Sequence, residues 1–410
     1  MRGLRFPAVN ERAFAAVFVL SLIVKLILSA ISPASDDLVT ILSGATQPPW
    51  GPWITLYSLM LRFWTFLTRT TPEPALFAAS PPWTQPAIVE LLLAYFRLPL
   101  LVLDVAVAWL VYLIAKRLSS SIETARVATL LWFINPFALF TIEMLAVPDV
   151  AALLLTMLAT FYLLKQRPFF SSIALAASVL LKLYPIILVP VFIFSTGKTS
   201  LRTKLLFVLV VFLGFLGYLA WLFQAGISEN LLLEYTPVSQ PITTPAVSAG
   251  LPVGFAIIIM VVYYYVMWVF SNRGTSAVVS NSAAAFLLSF VFTSPHPQYF
   301  LWAIPFLTLE LAIVKRRELL YLIVLLTIAF VWGFFTFNGY LTMSGYSLVF
   351  IQLTGQRLPW YSQIILSFFS TQSSAVLLPL LKAALSAWAL IYAAEIIRYW
   401  FTTRQGHGSV

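Results

Sequence analysis

Runs of apolar residues long enough to cross a membrane recur along almost the whole of this 410-residue chain. A helix that spans a bilayer needs roughly 20 such residues. Hydrophobic residues make up 61% of the sequence and charged residues only 9%, and the mean hydropathy is +0.95. Since a water-soluble fold cannot bury that much apolar surface, we expect an all-α integral membrane protein. No polar stretch is long enough for a separate soluble domain, so residues 1–410 are predicted to form a single polytopic membrane domain.

Twelve membrane spans are predicted, with an error of several residues at each end. They cover residues 13–31, 96–115, 127–145, 149–164, 169–183, 184–197, 205–225, 251–271, 276–293, 299–314, 319–338 and 376–397. An even number of spans puts both termini on the same side of the membrane. Most of the 24 Lys and Arg residues then lie in short loops on that side, which the positive-inside rule identifies as cytoplasmic.

The amphipathic stretch 53–68 is predicted to lie on the outer membrane surface. Counting it as a span would move every later basic loop to the outer side, against the positive-inside rule. The outer side then holds three sizeable segments, 32–95, 226–250 and 339–375, whereas the cytoplasmic loops are short. Long irregular segments in compact proteins usually carry function, so we expect the working face on the outer side.

Composition also excludes several kinds of chemistry. The sequence contains no Cys, so thiol catalysis and Cys-based metal sites are excluded. His296 and His407 are the two histidines, which argues against a His-rich metal centre. No metal site or certain cofactor is predicted; a divalent cation stays open and would need carboxylate ligands. The basic residues are dispersed between apolar runs, which indicates membrane lipids rather than nucleic acid as partners.

Two adjacent carboxylates, Asp36 and Asp37, directly follow the first predicted span. Partial desolvation at a lipid–water boundary makes a carboxylate a better proton acceptor, so one of them is a candidate general base. The alternative is a helix N-cap or a solvated pair in the loop.

Several further polar residues stand beside breaks in the apolar runs. Lys182 ends one predicted span just before Pro185, where it could bind a lipid phosphate or extend to the membrane interface. Lys25 is a weaker candidate, which could reach an interface or pair with a neighbouring span. The stretch Ser294-Pro295-His296-Pro297-Gln298-Tyr299, followed by Trp302, breaks a helix at two prolines and predicts either a polar cavity or a rigid turn.

Five more polar positions favour a structural role over a functional one. Asn135, Glu143 and Asp149 could cap short helices or line the same cavity, and Arg97 lies seven residues before Asp104 on one predicted helix face.

Three of these segments carry a resemblance to a known family. Lys182-Leu-Tyr-Pro185, the Ser294–Trp302 stretch and Asn135-Pro136 resemble motifs of GT-C glycosyltransferases that use polyprenyl-phosphate sugars. The likeness is greatest to the catalytic subunit of GPI mannosyltransferase I and its prokaryotic relatives, over most of residues 13–315. This resemblance implies a GT-C-like bundle of about 12 transmembrane helices with amphipathic helices in the outer loops. The family's Asp-x-Asp and Arg-Gly-Asn sequences are absent.

The resemblance implies an inverting transfer of a hexose, with mannose the expected sugar, from a polyprenyl (dolichyl-type) phosphate donor at the outer or lumenal face. The acceptor would be a lipid- or protein-linked glycan. Asp36 or Asp37 would be catalytic. The implied donor-phosphate ligands are Lys182, Arg97, His296, Gln298 and Tyr299, and the implied cavity residues are Tyr184, Asn135, Glu143, Asp149 and Trp302. The enzyme would lie in a prokaryotic plasma membrane or a eukaryotic endoplasmic reticulum, with an accessory membrane subunit as one candidate partner.

Two alternatives stay open from the sequence. A transporter or lipid flippase would also need many spans and broken helices, but such folds usually contain internal repeats, and no convincing repeat relates residues 13–200 to 205–400. A non-catalytic membrane assembly subunit predicts that substituting the polar outer residues changes little beyond stability.

Overall fold

The structure is a computed structural model that describes most of the predicted spans. The described residues are 9–31, 97–144, 147–195, 199–224, 253–270, 277–292 and 297–314, with 319–321, 323–324, 327, 380 and 383–398 towards the C-terminus. Within these ranges the ordered elements are helices and no strand occurs. The expected fold class, an all-α membrane protein, is confirmed.

Ten α-helices of eight or more residues are bounded in the described residues before position 315. They are α1 (Glu11–Ile31), α2 (Leu98–Ser119), α3 (Ile122–Phe133), α4 (Asp149–Leu164), α5 (Pro168–Leu181), α6 (Leu188–Ser195), α7 (Leu201–Gln224), α8 (Val253–Phe270), α9 (Val278–Phe292) and α10 (Ile304–Val314). Residues 383–398 form a further helix near the C-terminus. By length and composition, α1, α2 and α7 can cross a membrane, and six shorter helices are apolar.

Three predicted spans are interrupted in the structure, each time beside a proline. The span 127–145 is wrong as one helix: α3 ends at Phe133, and a short turn (Pro136–Ala138) and a π-helix (Leu139–Met144) follow. Pro136 has no N–H to continue the helix, and the Asn135 side chain accepts a hydrogen bond from the Phe137 N–H at 2.9 Å.

The other two interrupted spans begin with a tighter helix. The predicted span 184–197 starts as a 3₁₀ helix, Tyr184–Ile187, before α6, and 299–314 starts as a 3₁₀ helix, Pro297–Trp302, before α10. The predicted outer segments 32–95, 226–250 and 339–375 lie outside the described residues, as do most of span 319–338 and part of 376–397. The count of twelve spans therefore stays a prediction.

Local sequence explains the helix ends at the basic side of the bundle. Lys116 and Arg117 occupy the last turn of α2, where positive charge is favourable. Ser120 then takes a left-handed conformation (φ 54°), and the Ser121 hydroxyl caps α3 by accepting from the Thr124 N–H at 3.2 Å.

The helices pack around one apolar core. α4 lies between α2 and α5, α7 covers α5, and α10 contacts α2, α3 and α9. Hydroxyl groups join α4 to α5: Ser178 donates to the Ala152 carbonyl at 2.6 Å, and Ser171 donates to the Ala159 carbonyl at 2.8 Å. Such hydrogen bonds hold helices together where the surrounding lipid provides no hydrophobic driving force.

A close helix contact depends on Gly214 in α7. A Cβ atom at this position would lie 2.5 Å from the Ala176 carbonyl oxygen and 2.9 Å from the Ala176 Cα on α5. Backbone atoms cannot move aside as a flexible side chain can, so the absence of a side chain at position 214 sets the separation of the two helices.

We expect Gly214→Ala to destabilise the protein by about 1–3 kcal/mol, the usual cost of overpacking. Gly217→Ala is the matched control, because a Cβ atom there meets the movable end of Leu180 at 3.1 Å. Thermal unfolding of both variants in detergent measures the difference. Equal midpoints for the two variants would contradict the close contact.

Candidate functional site

A buried lysine lies between two carboxylates on different helical segments. The Nζ atom of Lys25 in α1 is 2.8 Å from Oδ2 of Asp104 in α2 and 3.0 Å from Oε1 of Glu143 in the π-helix. All three side chains have no solvent exposure. We call these residues the Lys25 cluster. Since an isolated charge is very costly inside a membrane protein, the three groups depend on one another.

Aromatic groups complete the surroundings of the Lys25 cluster. The Trp132 indole N–H donates to Asp104 Oδ1 at 2.9 Å. The Phe133 ring lies under the Lys25 ammonium, with 4.7 Å between Nζ and the ring centroid, and stacks on Phe18 of α1 at 4.3 Å. These contacts fasten α1 to α2 and α3 through charge, hydrogen bonding and ring packing together.

Arg97 adds a second connection between α1 and α2. It directly precedes α2 and is 3% exposed, and its guanidinium donates to the Ser29 backbone carbonyl, about one turn after Lys25. The end of α1 is thus held at two successive turns.

A second polar group surrounds Asp149 at the start of α4. Its Oδ2 atom lies 3.2 Å from the Lys182 ammonium, and its Oδ1 atom accepts from the Trp302 indole N–H at 2.8 Å. Asp149 is fully buried, whereas the Lys182 side chain is 20% exposed. We call these residues, with the stacked tyrosines described next, the Asp149 cluster.

The Trp302 ring lies between two tyrosines. It stacks on Tyr184 with ring centroids 3.5 Å apart and on Tyr299 with centroids 4.5 Å apart. Tyr184 and Trp302 are buried, and Tyr299 is partly buried. The stack joins the two 3₁₀ helices. Prolines in these two segments prevent them from forming regular α-helix.

The two clusters use the same arrangement of partners. In each, one aspartate oxygen faces a lysine ammonium and the other accepts from a tryptophan indole N–H. One oxygen of each aspartate accepts a hydrogen bond and the other faces an ammonium group in an ion pair, and these contacts make burial of the negative charge tolerable. The aspartates are thereby occupied within the protein.

Both clusters lie at one end of the helix bundle. Successive helices run antiparallel, so the end of α1, the start of α2, the start of α4 and the end of α5 meet there. Basic residues concentrate at the opposite end, where the Arg117 Nε–H donates to the Leu164 carbonyl at 2.8 Å and Arg126 donates to the Val9 carbonyl at 3.1 Å.

The sequence-predicted site residues are distributed over these clusters. Lys182, Tyr184, Asp149, Tyr299 and Trp302 lie together in the Asp149 cluster. Glu143 belongs to the Lys25 cluster, and Asn135 caps a helical turn, which is the structural alternative that the sequence had left open. Their predicted ligands stay predictions.

Three predicted site residues, Asp36, Asp37 and His296, lie outside the described residues, and of Gln298 the backbone alone is described. Among the residues that the structure describes, no group of three or more His, Asp or Glu side chains could hold a metal ion.

Sequence reasoning underestimated Lys25 and Asp104. The signal was their occurrence within long apolar runs of a chain that has only 14 acidic residues. The missing information was which charge on one span meets which charge on another, because that depends on helix rotation and packing.

The fold and these clusters define a multi-pass helical membrane protein in which the buried carboxylates of Asp104, Glu143 and Asp149 form ion pairs between helical segments. Residues 59–236 match the family model described as GPI transamidase subunit PIG-U. This match covers less than half of the chain. No curated protein matches the sequence.

This match overturns the resemblance expected from the short motifs. The predicted relationship to the catalytic subunit of GPI mannosyltransferase I is wrong, and so are the glycosyltransferase activity and the enzyme class derived from it. The transporter or flippase alternative is not supported either. The physical reason is visible in the structure: the motifs coincide with proline-broken helix ends and interhelical contacts, which are features of many membrane folds.

We expect Lys25→Met to destabilise the protein by about 3–5 kcal/mol, because two buried carboxylates lose their counter-charge. Adding Asp104→Asn and Glu143→Gln to the same chain should restore part of that loss. Lys116→Met, at an exposed position, is the control. Unfolding in a denaturing detergent titration provides the measurement, and a Lys25→Met variant as stable as the control would contradict the ion pairs.

A second prediction concerns the indole N–H at Trp302. Trp302→Phe keeps an aromatic ring beside Tyr184 but removes the donor to Asp149 Oδ1, so we expect a loss of about 1–3 kcal/mol. Trp109→Phe, at a position 59% exposed on α2, is the matched control. Thermal unfolding in detergent compares the two, and equal losses would show that the hydrogen bond contributes nothing.

Proposed function

We propose that this chain is a non-catalytic subunit of a membrane complex of the GPI transamidase type. The match of residues 59–236 to the PIG-U family model supports the assignment. GPI transamidase attaches proteins to GPI anchors, and the matched family is one of its multi-pass membrane subunits. The sequence predicted an accessory membrane subunit as a partner; on this proposal, the chain is itself such a subunit.

The observation that carries a structural role is the pairing of the buried charges. Lys25, Asp104, Asp149 and Lys182 each meet an oppositely charged group of another helical segment, and both aspartates also accept from a tryptophan. A catalytic carboxylate has to reach a substrate proton, which these occupied oxygens do not favour. Paired charges of this kind hold helices in register.

The sequence also supports a non-catalytic role for this chain. It contains no Cys, so a thiol nucleophile in such a complex would have to come from another subunit. Three members of the clusters, Lys25, Tyr299 and Trp302, lie outside the matched segment, whereas Asp104, Glu143, Asp149, Lys182 and Tyr184 lie within it. The clusters therefore connect the matched segment to the rest of the chain and support its treatment as one domain.

For location we propose the endoplasmic reticulum membrane, with both termini cytoplasmic. The basic helix ends support this orientation: Lys116, Arg117, Arg126 and Lys165 lie at the end opposite to the two charged clusters. The Lys25 and Asp149 clusters then lie towards the lumenal side.

The test uses cells whose only copy of this chain is the tagged wild type or a variant. We expect deletion to reduce the surface level of a GPI-anchored reporter, measured by flow cytometry, and the tagged chain to co-purify with other membrane subunits. A wild-type chain that purifies alone, or a deletion that leaves the reporter unchanged, would overturn the assignment.

The non-catalytic role has its own test in the same cells. Asp149→Asn and Lys182→Gln should lower reporter anchoring only in proportion to the amount of chain found in the complex, and Lys116→Gln should change neither quantity. If a cluster variant assembles at the wild-type level but abolishes anchoring, then the residue takes part in the chemistry.

A further inference from the structure

An apolar groove opens at the basic end of the bundle, away from both charged clusters. It encloses about 340 Å³ between the start of α5 and the start of α7. Residues 167–170 form one wall, and Thr203, Leu206 and Phe207 form the other. This volume lies at the lower end of the range of about 300–1,000 Å³ that is typical of ligand pockets.

The walls of the groove are apolar and held in place. The Phe169 and Phe170 rings are each 49% exposed, and Leu206 is 42% exposed, whereas Phe207 at the base is buried. The Phe170 ring also packs on Tyr162 of α4, with centroids 5.6 Å apart. An apolar chain in the groove would bury the exposed surfaces of Phe169, Phe170 and Leu206, and this burial would favour its binding.

The mouth of the groove carries positive charge. Arg167 directly precedes α5 and is exposed, and Arg202 is exposed in the first turn of α7, one turn before Leu206. Lys165 and Lys204 lie within two residues of these arginines. The arginine guanidinium forms paired hydrogen bonds with phosphate oxygens, and the surrounding positive charge favours a head group with net negative charge over a zwitterionic one.

The surrounding sequence does not compensate this charge. From position 150 to position 228 the chain contains no Asp or Glu, although it carries six Lys and Arg residues. The acidic residues at this end of the described bundle include Glu11 and Glu123, at the starts of α1 and α3, and the exposed Glu395 near the end of the C-terminal helix. Glu11 lies 3.8 Å from Arg126, and no described acidic residue lines the groove. The positive charge at the groove is therefore complementary to an anion.

The positive charge lies at the mouth of the apolar groove, where it would face the head group of a phospholipid whose acyl chains lie in the groove. Arg167 stands at the end of a membrane helix, where head groups lie, and the aromatic wall begins two residues further into the helix. Basic pockets between membrane helices are known binding sites for anionic head groups. We propose that the groove between α5 and α7 binds an anionic phospholipid, with its phosphate at Arg167 and an acyl chain against Phe169, Phe170 and Leu206.

This site does not depend on the proposed function, because none of its residues belongs to the Lys25 or Asp149 cluster. It can be tested on the purified full chain in detergent, by titration with phosphatidylserine or phosphatidylcholine and counting of retained lipids by native mass spectrometry. We expect phosphatidylserine to be retained in preference to phosphatidylcholine. Excess inorganic phosphate should not displace it, because phosphate lacks the acyl chains.

Two variants separate the parts of the site. Arg167→Gln should weaken phosphatidylserine retention about fivefold, the effect of one basic residue near an anionic membrane surface. Leu206→Trp fills the groove while keeping every charge, and should abolish the preference for phosphatidylserine. Lys116→Gln, at an exposed basic position on α2, makes the same change in net charge and should leave retention unchanged.

Unchanged thermal midpoints of the lipid-free variants serve as the folding control. Equal retention of the two lipids by the wild type would overturn the proposal. So would an Arg167→Gln variant that behaves like Lys116→Gln, or a Leu206→Trp variant that keeps the preference, since the groove would then not hold the lipid.

Discussion

The ammonium of Lys25 between Asp104 and Glu143 is the interaction on which the arrangement of the first helices depends. None of these side chains reaches solvent, so each charge is stabilised by the others rather than by water. The three residues come from α1, α2 and the π-helix, which are distant in sequence. Their meeting therefore requires α1 to occupy one place and one rotation against α2 and α3, and Arg97 fastens the next turn of α1 to the start of α2.

The Asp149 cluster repeats this arrangement between the start of α4 and the end of α5. A lysine and a tryptophan again share one buried aspartate, although the elements and their order in the chain differ. The π-helix contributes Glu143 to the Lys25 cluster, and the two 3₁₀ helices contribute Tyr184 and Trp302 to the Asp149 cluster. Prolines beside these segments are what interrupt the regular helices there.

This use of proline also explains why the motif resemblance was misleading. Lys182-Leu-Tyr-Pro185 and the segment ending at Trp302 looked like a donor-binding signature. In the structure these residues pair with Asp149 and stack on each other, and the family match is to a GPI transamidase subunit. Short motifs of a cation, an aromatic residue and a proline are favourable at the end of any membrane helix, so they carry little information about the reaction.

The sequence by itself determined the membrane class, the helical fold, the concentration of basic residues at one end and the breaks beside Pro185 and Pro297, but the predicted span 127–145 missed the break at Pro136. These properties are local, since apolar length, charge and the missing N–H of proline act within a few residues. The tertiary structure alone decided that Lys25 meets Asp104 and Glu143, and that Asp149 meets Lys182 and Trp302. Those pairings join residues up to 153 positions apart, and they depend on how helices rotate and approach, as at Gly214.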